Sequence, residues 1–123
     1  MAGELILIVE DNERNLKLVR DVLGFAGFAT LEARTAEAGI ELARLQKPDI
    51  VLMDINLPGM TGFEALAALR ADALTASIPV LAVTAYAMKD DRARILAAGF
   101  DGYLEKPVDV RALPGQVEAL IGS

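Results

Sequence analysis

The 123-residue chain has no cysteine and no histidine. The first absence excludes disulfides, thiol catalysis and thiolate zinc sites. The second removes the commonest general base and metal ligand. Any metal bound here must therefore be a hard cation held by oxygen. No apolar run approaches the ~18–20 residues needed to cross a bilayer, so no membrane span is expected. The opening MAGELILIVE lacks a basic leader and runs straight into a strand-like segment, which argues against a signal peptide. Nor is there a surplus of positive charge. Twelve basic residues stand against 18 acidic ones, a net charge of −6, and the two signs are mixed along the chain. That disfavours direct nucleic-acid binding. The expectation is a cytoplasmic protein.

What the chain does have is material for a core. Hydrophobic residues make up 54% and the mean hydropathy is +0.38. This length accommodates one domain with a sizeable interior, expected to span residues 1–123 without an output domain. Short apolar runs alternate with helical patterns. LILIV (5–9), FATLEA (28–33), DIVLM (49–53), PVLAV (79–83) and GYLE (102–105) read as strands. Three of them are apolar almost throughout, as parallel strands covered on both faces should be. Between them, residues 13–26 place Leu16, Val19, Val22, Leu23 and Ala26 on one stripe, with Gly27 as a stop. Thr35 is placed to cap a second helix running to about Leu45. Further helical patterns cover Gly62 to Arg70, residues 88–98 and residues 110–121. Five β-α units in sequence predict an α/β fold, a parallel sheet with helices on both faces and right-handed crossovers.

In open α/β sheets, function collects at the carboxyl ends of the strands. Those ends carry Glu10 and Asp11 after the first run, Asp54 after the third, Thr84 after the fourth and Lys106 after the fifth. If the first and third strands are neighbours, three carboxylates converge. They repel one another unless a cation lies among them, and Mg²⁺ suits a site of carboxylates, waters and phosphate oxygens. The main-chain carbonyl of Asn56 is a further candidate ligand. The acids stand where a phosphate-binding loop would have glycines, so a phosphate here is brought to a metal and fixed to a carboxylate. Asp54 is the candidate nucleophile, since aspartyl phosphate formation is an established covalent route. Lys106 and the metal would neutralise the transferring group, and Thr84 offers a hydroxyl.

Taken singly, these residues have plainer explanations. Asp11 or Asn12 could merely cap the first helix, Thr84 could end its strand, Lys106 could be a solvated lysine, and Tyr103 could be ordinary core. Only the combination points to chemistry.

VED at the first strand, LMDINLPGMTG, VTA and the EKP of residues 105–107 resemble a response-regulator receiver domain over essentially the whole chain. Within that family the resemblance is to single-domain cell-division regulators of the DivK type and to receivers of hybrid histidine kinases. It implies a five-stranded CheY-like sheet in the order 2-1-3-4-5. It also implies a signalling phosphoacceptor rather than an enzyme with an external substrate. Asp54 would take a phosphoryl group from a histidine kinase or a histidine phosphotransfer protein, and the product would act on a downstream protein as a monomer or weak dimer. Asp11 and Asp54 would hold Mg²⁺ directly and Glu10 through water. Lys106 would bridge to the phosphoryl group, and Thr84 and Tyr103 would form the switch pair. Asn56 and Tyr86, each two positions beyond a key residue, would border the path of the hydrolytic water.

The resemblance further implies a cis Lys106–Pro107 bond. Pro114 predicts a last helix that is kinked or that starts only where the proline occupies its first position. A haloacid-dehalogenase-type hydrolase also uses an aspartate nucleophile, but it needs a second acid where this chain has Asn56. A flavodoxin-like electron carrier needs a hydroxyl- and glycine-rich loop where this chain has EDNERN.

Overall fold

The computed structural model describes residues 3–85 and 89–121. Strands and helices alternate throughout: β1 (Leu5–Val9), α1 (Glu13–Phe25), β2 (Ala29–Ala33), α2 (Ala36–Gln46), β3 (Ile50–Asp54), α3 (Gly62–Ala71), β4 (Val80–Thr84), α4 (Lys89–Ala98), β5 (Gly102–Glu105) and α5 (Leu113–Ile121). The five strands form one parallel sheet in the order β2-β1-β3-β4-β5.

Period-2 alternation divides the side chains between two layers. Ile6, Ile8, Ile50, Leu52, Leu81 and Val83 meet Leu16, Val19 and Leu23 of α1 and Leu113 and Val117 of α5. Leu7, Val9, Val51, Met53, Val80 and Ala82 meet α2, α3 and α4 through Ala43, Leu66, Leu69 and Ile95. The central strands β3 and β4 are buried at every position, which explains why their sequences do not alternate.

The helix starts follow from local chemistry. Asn12 caps α1 by accepting from Asn15 N, and Thr35 caps α2 by accepting from Ala38 N. Thr61 and Glu64 form a reciprocal capping box on α3, satisfying two main-chain donors at once. Because Asn12 takes the capping role on α1, Asp11 keeps its carboxylate for other work.

Several boundaries differ from the sequence expectation. β2 begins at Ala29, one residue late, and β3 and β4 are displaced by one residue so that Asp54 and Thr84 end their strands. The ladder itself carries them: Ile55 N donates to Val83 O and Lys106 N to Thr84 O. Pairing thus continues beyond the apolar run. α5 starts at Leu113, so Pro114 is its second residue, one position away from the delayed start expected. The first turn tolerates a proline because its N–H groups have no partner within the helix. Ahead of it, Asp109 O accepts from the N–H groups of Ala112 and Leu113. The Lys106–Pro107 bond is cis, as expected. Among the described residues, no helix is long and apolar enough to cross a membrane.

Candidate functional site

Adjacency of β1 and β3 brings Glu10 and Asp11 to Asp54, and β5 delivers Lys106 from the far edge. Asp54 is 2% exposed, Glu10 5% and Thr84 2%, whereas Asp11 faces solvent. One carboxylate oxygen each from Glu10, Asp11 and Asp54 lies within 4.8 Å of the other two.

Both oxygens of Asp54 are engaged. Oδ1 accepts from Asn56 N at 2.9 Å and Oδ2 from Lys106 Nζ at 3.0 Å. Lys106 Nζ also lies 3.1 Å from Glu10 Oε1, and Glu10 Oε2 accepts from Asn12 N at 3.1 Å. The lysine reaches this position over an apolar floor. Ile8, Val19, Leu52, Val83 and Leu104 line a cavity of about 40 Å³ that Glu10 and Lys106 border, so a long aliphatic stem suits the approach.

The loop after Asp54 is held by a close approach. A Cβ on Gly62 would lie 2.7 Å from Ile55 Cα and 2.8 Å from Asp54 O, and Gly62 N donates to Ile55 O. Only glycine lets α3 begin this close to the end of β3. Sequence reading took Gly62 as a helix start and missed this role, because no local pattern reveals what the residue packs against.

One ammonium does not balance three carboxylates. Burial pushes the Glu10 carboxyl up from 4.5 to about 7, aided by its bond and charge repulsion with Asp54 and opposed by Asn12 N and Lys106. For Lys106, burial acts downward, but the bonds to Asp54 and Glu10 outweigh it and the net shift is upward. Such a cluster favours a cation. Its donors are all oxygen, the chain holds no cysteine or histidine, and the set fits a hard metal ion.

Thr84 lines a cavity of about 120 Å³ together with Ile55, Asn56, Phe63, Asp91, Arg94 and Ile95. Tyr103 is half-buried against the layer of α2, α3 and α4. Arg92 of α4 places its guanidinium carbon 5.6 Å from the Tyr103 ring centroid, a contact that no local pattern foretells. Tyr86 lies outside the described residues.

The known proteins to which the chain is similar agree with one another. Residues 6–118 match the response regulator receiver domain. The chain belongs to that family. This receiver is 41% identical over 117 residues to the polar-differentiation response regulators DivK of Brucella anthropi and Brucella ovis, covering 95% of each chain. Among solved structures, it is similar to the receiver domain of the sensor histidine kinase PA1611 from Pseudomonas aeruginosa, which has a magnesium ion coordinated in its active-site cleft. That likeness has a TM-score of 0.91 at 34% identity, covering 99% of this chain and 100% of that one. A CheY-like receiver domain protein from Methanospirillum hungatei gives 0.88 at 30% identity, covering 98% and 95%.

Proposed function

We propose that this receiver accepts a phosphoryl group on Asp54 from a phosphohistidine of a histidine kinase or histidine phosphotransfer protein. The modified form would then change which protein it binds. The observation that carries the reading is Asp54 itself, a buried carboxylate at a strand end between two other acids and a lysine.

In the transfer, an Asp54 oxygen forms a bond to phosphorus as the phosphorus–nitrogen bond breaks. The imidazole nitrogen leaves with the bonding pair and is protonated. Lys106, already 3.0 Å from Asp54 Oδ2, offsets negative charge on the moving group. Asn56 N, on the other oxygen, fixes the carboxylate plane. Asp11 and Asp54 would hold Mg²⁺, with Glu10 acting through water and the Asn56 carbonyl as a further ligand. The PA1611 receiver offers a parallel for magnesium in such a cleft. When bound, the ion supplies positive charge against the phosphoryl oxygens. Thr84 and Tyr103 form the switch pair. Asn56 borders the approach of the hydrolytic water, where an amide can orient water without taking its proton.

The relatives are DivK regulators on one side and the receiver of a sensor histidine kinase on the other, so both a free regulator and a receiver within a kinase are served by this chemistry. The test is phosphorylation by acetyl phosphate, followed by intact-protein mass spectrometry. One phosphoryl group should appear with Mg²⁺ and none with EDTA, and Asp54→Asn should remain unmodified. Modification without Mg²⁺, or in Asp54→Asn, would refute the assignment.

A further inference from the structure

The Arg92 side chain makes two contacts of different kinds with β5. Its guanidinium carbon stands 5.6 Å from the centroid of the Tyr103 ring, and its Nη2 lies 3.4 Å from Glu105 Oε1. Tyr103 and Glu105 are two residues apart on one strand, so they project from the same face. That face also carries Thr84, the register partner of Glu105 on β4. With side chains 48% and 57% exposed, the ion pair alone is weak. It nonetheless anchors one end of the guanidinium, and an anchored cation keeps its place over the ring.

We infer that Arg92 is a positioning residue for Tyr103. It restrains the ring on the α4 side of β5 and thereby sets how readily the Thr84–Tyr103 pair responds when Asp54 is phosphorylated. This rests on the reading of Asp54 as phosphoacceptor and Tyr103 as switch residue. The Arg92 contacts coexist with an Asp54 whose two oxygens are bonded to Lys106 Nζ and Asn56 N. Phosphorylating one of those oxygens, which turns the carboxylate into a mixed anhydride, ends that arrangement. The restraint therefore belongs to the side of the equilibrium that phosphorylation depletes, and weakening it shifts the balance toward the other side.

The experiment combines tyrosine-ring NMR with a titration by beryllofluoride, a phosphoryl mimic, in the presence of Mg²⁺. The chain has two tyrosines, so a Tyr103→Phe variant assigns the Tyr103 ring. Arg92→Met keeps the aliphatic bulk without the charge. It should shift the Tyr103 ring resonances and tighten apparent beryllofluoride affinity roughly two- to fivefold. Arg92→Lys should restore most of the wild-type behaviour, and Glu105→Gln should fall between. Unchanged ring resonances in Arg92→Met, or an affinity equal to or weaker than wild type, would overturn the inference. A wild type that fails to bind beryllofluoride would sink the phosphoacceptor reading, and this inference with it. A wild type that binds beside an Arg92→Met of equal affinity would sink the inference alone.

Discussion

Replacing Gly62 by alanine sets two effects of opposite sign against each other. Gly62 opens α3, and helix propensity favours alanine there by up to ~1 kcal/mol. Packing opposes it. The new Cβ would stand 2.7 Å from Ile55 Cα and 2.8 Å from Asp54 O, where ordinary contact begins at 3.4 Å. Both neighbours are main-chain atoms, so the start of α3 must separate from the end of β3 by roughly 0.6–0.7 Å. Overpacking of this kind costs ~1–3 kcal/mol, and against main-chain atoms the upper part of that range applies, which leaves a net loss of about 1–2 kcal/mol after the propensity gain. The expected fall in Tm is about 3–10 °C. The displaced atoms belong to Asp54 and its successor, so phosphorylation should slow roughly tenfold or more. Gly24, exposed in α1 with open space where a Cβ would go (nothing within 4 Å), is the control. Gly24→Ala should raise stability by about 0.5–1 kcal/mol and leave phosphorylation unchanged. Thermal melts and initial rates with acetyl phosphate at saturating Mg²⁺ measure both variants. A Gly62→Ala protein that melts at or above wild type with an unchanged rate would refute the close-packing argument.

Two further outcomes are expected. With its pKa raised from 4.5 to about 7, Glu10 holds an extra proton in the folded protein across that window, so its contribution to stability is lost as pH rises through it. The Tm difference between wild type and Glu10→Gln in EDTA should therefore move against wild type from pH 5 to pH 8. Mg²⁺ should reverse the trend, because binding requires the carboxylate; a difference independent of pH in EDTA would contradict the burial argument. At the other end of the strands, Arg70 donates to Ala76 O, Ile78 O, Gly99 O and Asp101 Oδ2. Arg70→Met should lower stability by about 2–3 kcal/mol in urea unfolding while leaving the phosphorylation rate intact, and a slowed rate would show that the two ends of the sheet are coupled.

The fold was legible because burial on both faces leaves an unmistakable mark on β1, β3 and β4, and because Thr35 and Gly27 punctuate their helices as such residues should. The site was legible for a related reason: charged and hydroxyl residues directly after buried strands are conspicuous, strand order sets Glu10 and Asp11 beside Asp54, and the long stem of Lys106 reaches them from β5. What depended on distance in space was hidden. Gly62 looks like any helix-starting glycine until Asp54 O is seen beside it. Arg92 looks like one more charge on a polar helix, since nothing in sequence ties α4 to Tyr103. Boundaries erred by one residue where main-chain pairing outlasts apolar character, as at Asp54 and Thr84.

The most direct test of the central claim is to locate the phosphoryl group itself. Borohydride reduces an aspartyl phosphate to homoserine, which peptide mass spectrometry then assigns to a position. After phosphorylation by a phosphohistidine donor with Mg²⁺, homoserine should appear at position 54 and nowhere else. Homoserine at position 11, or a phosphorylated chain that yields none, would contradict the account.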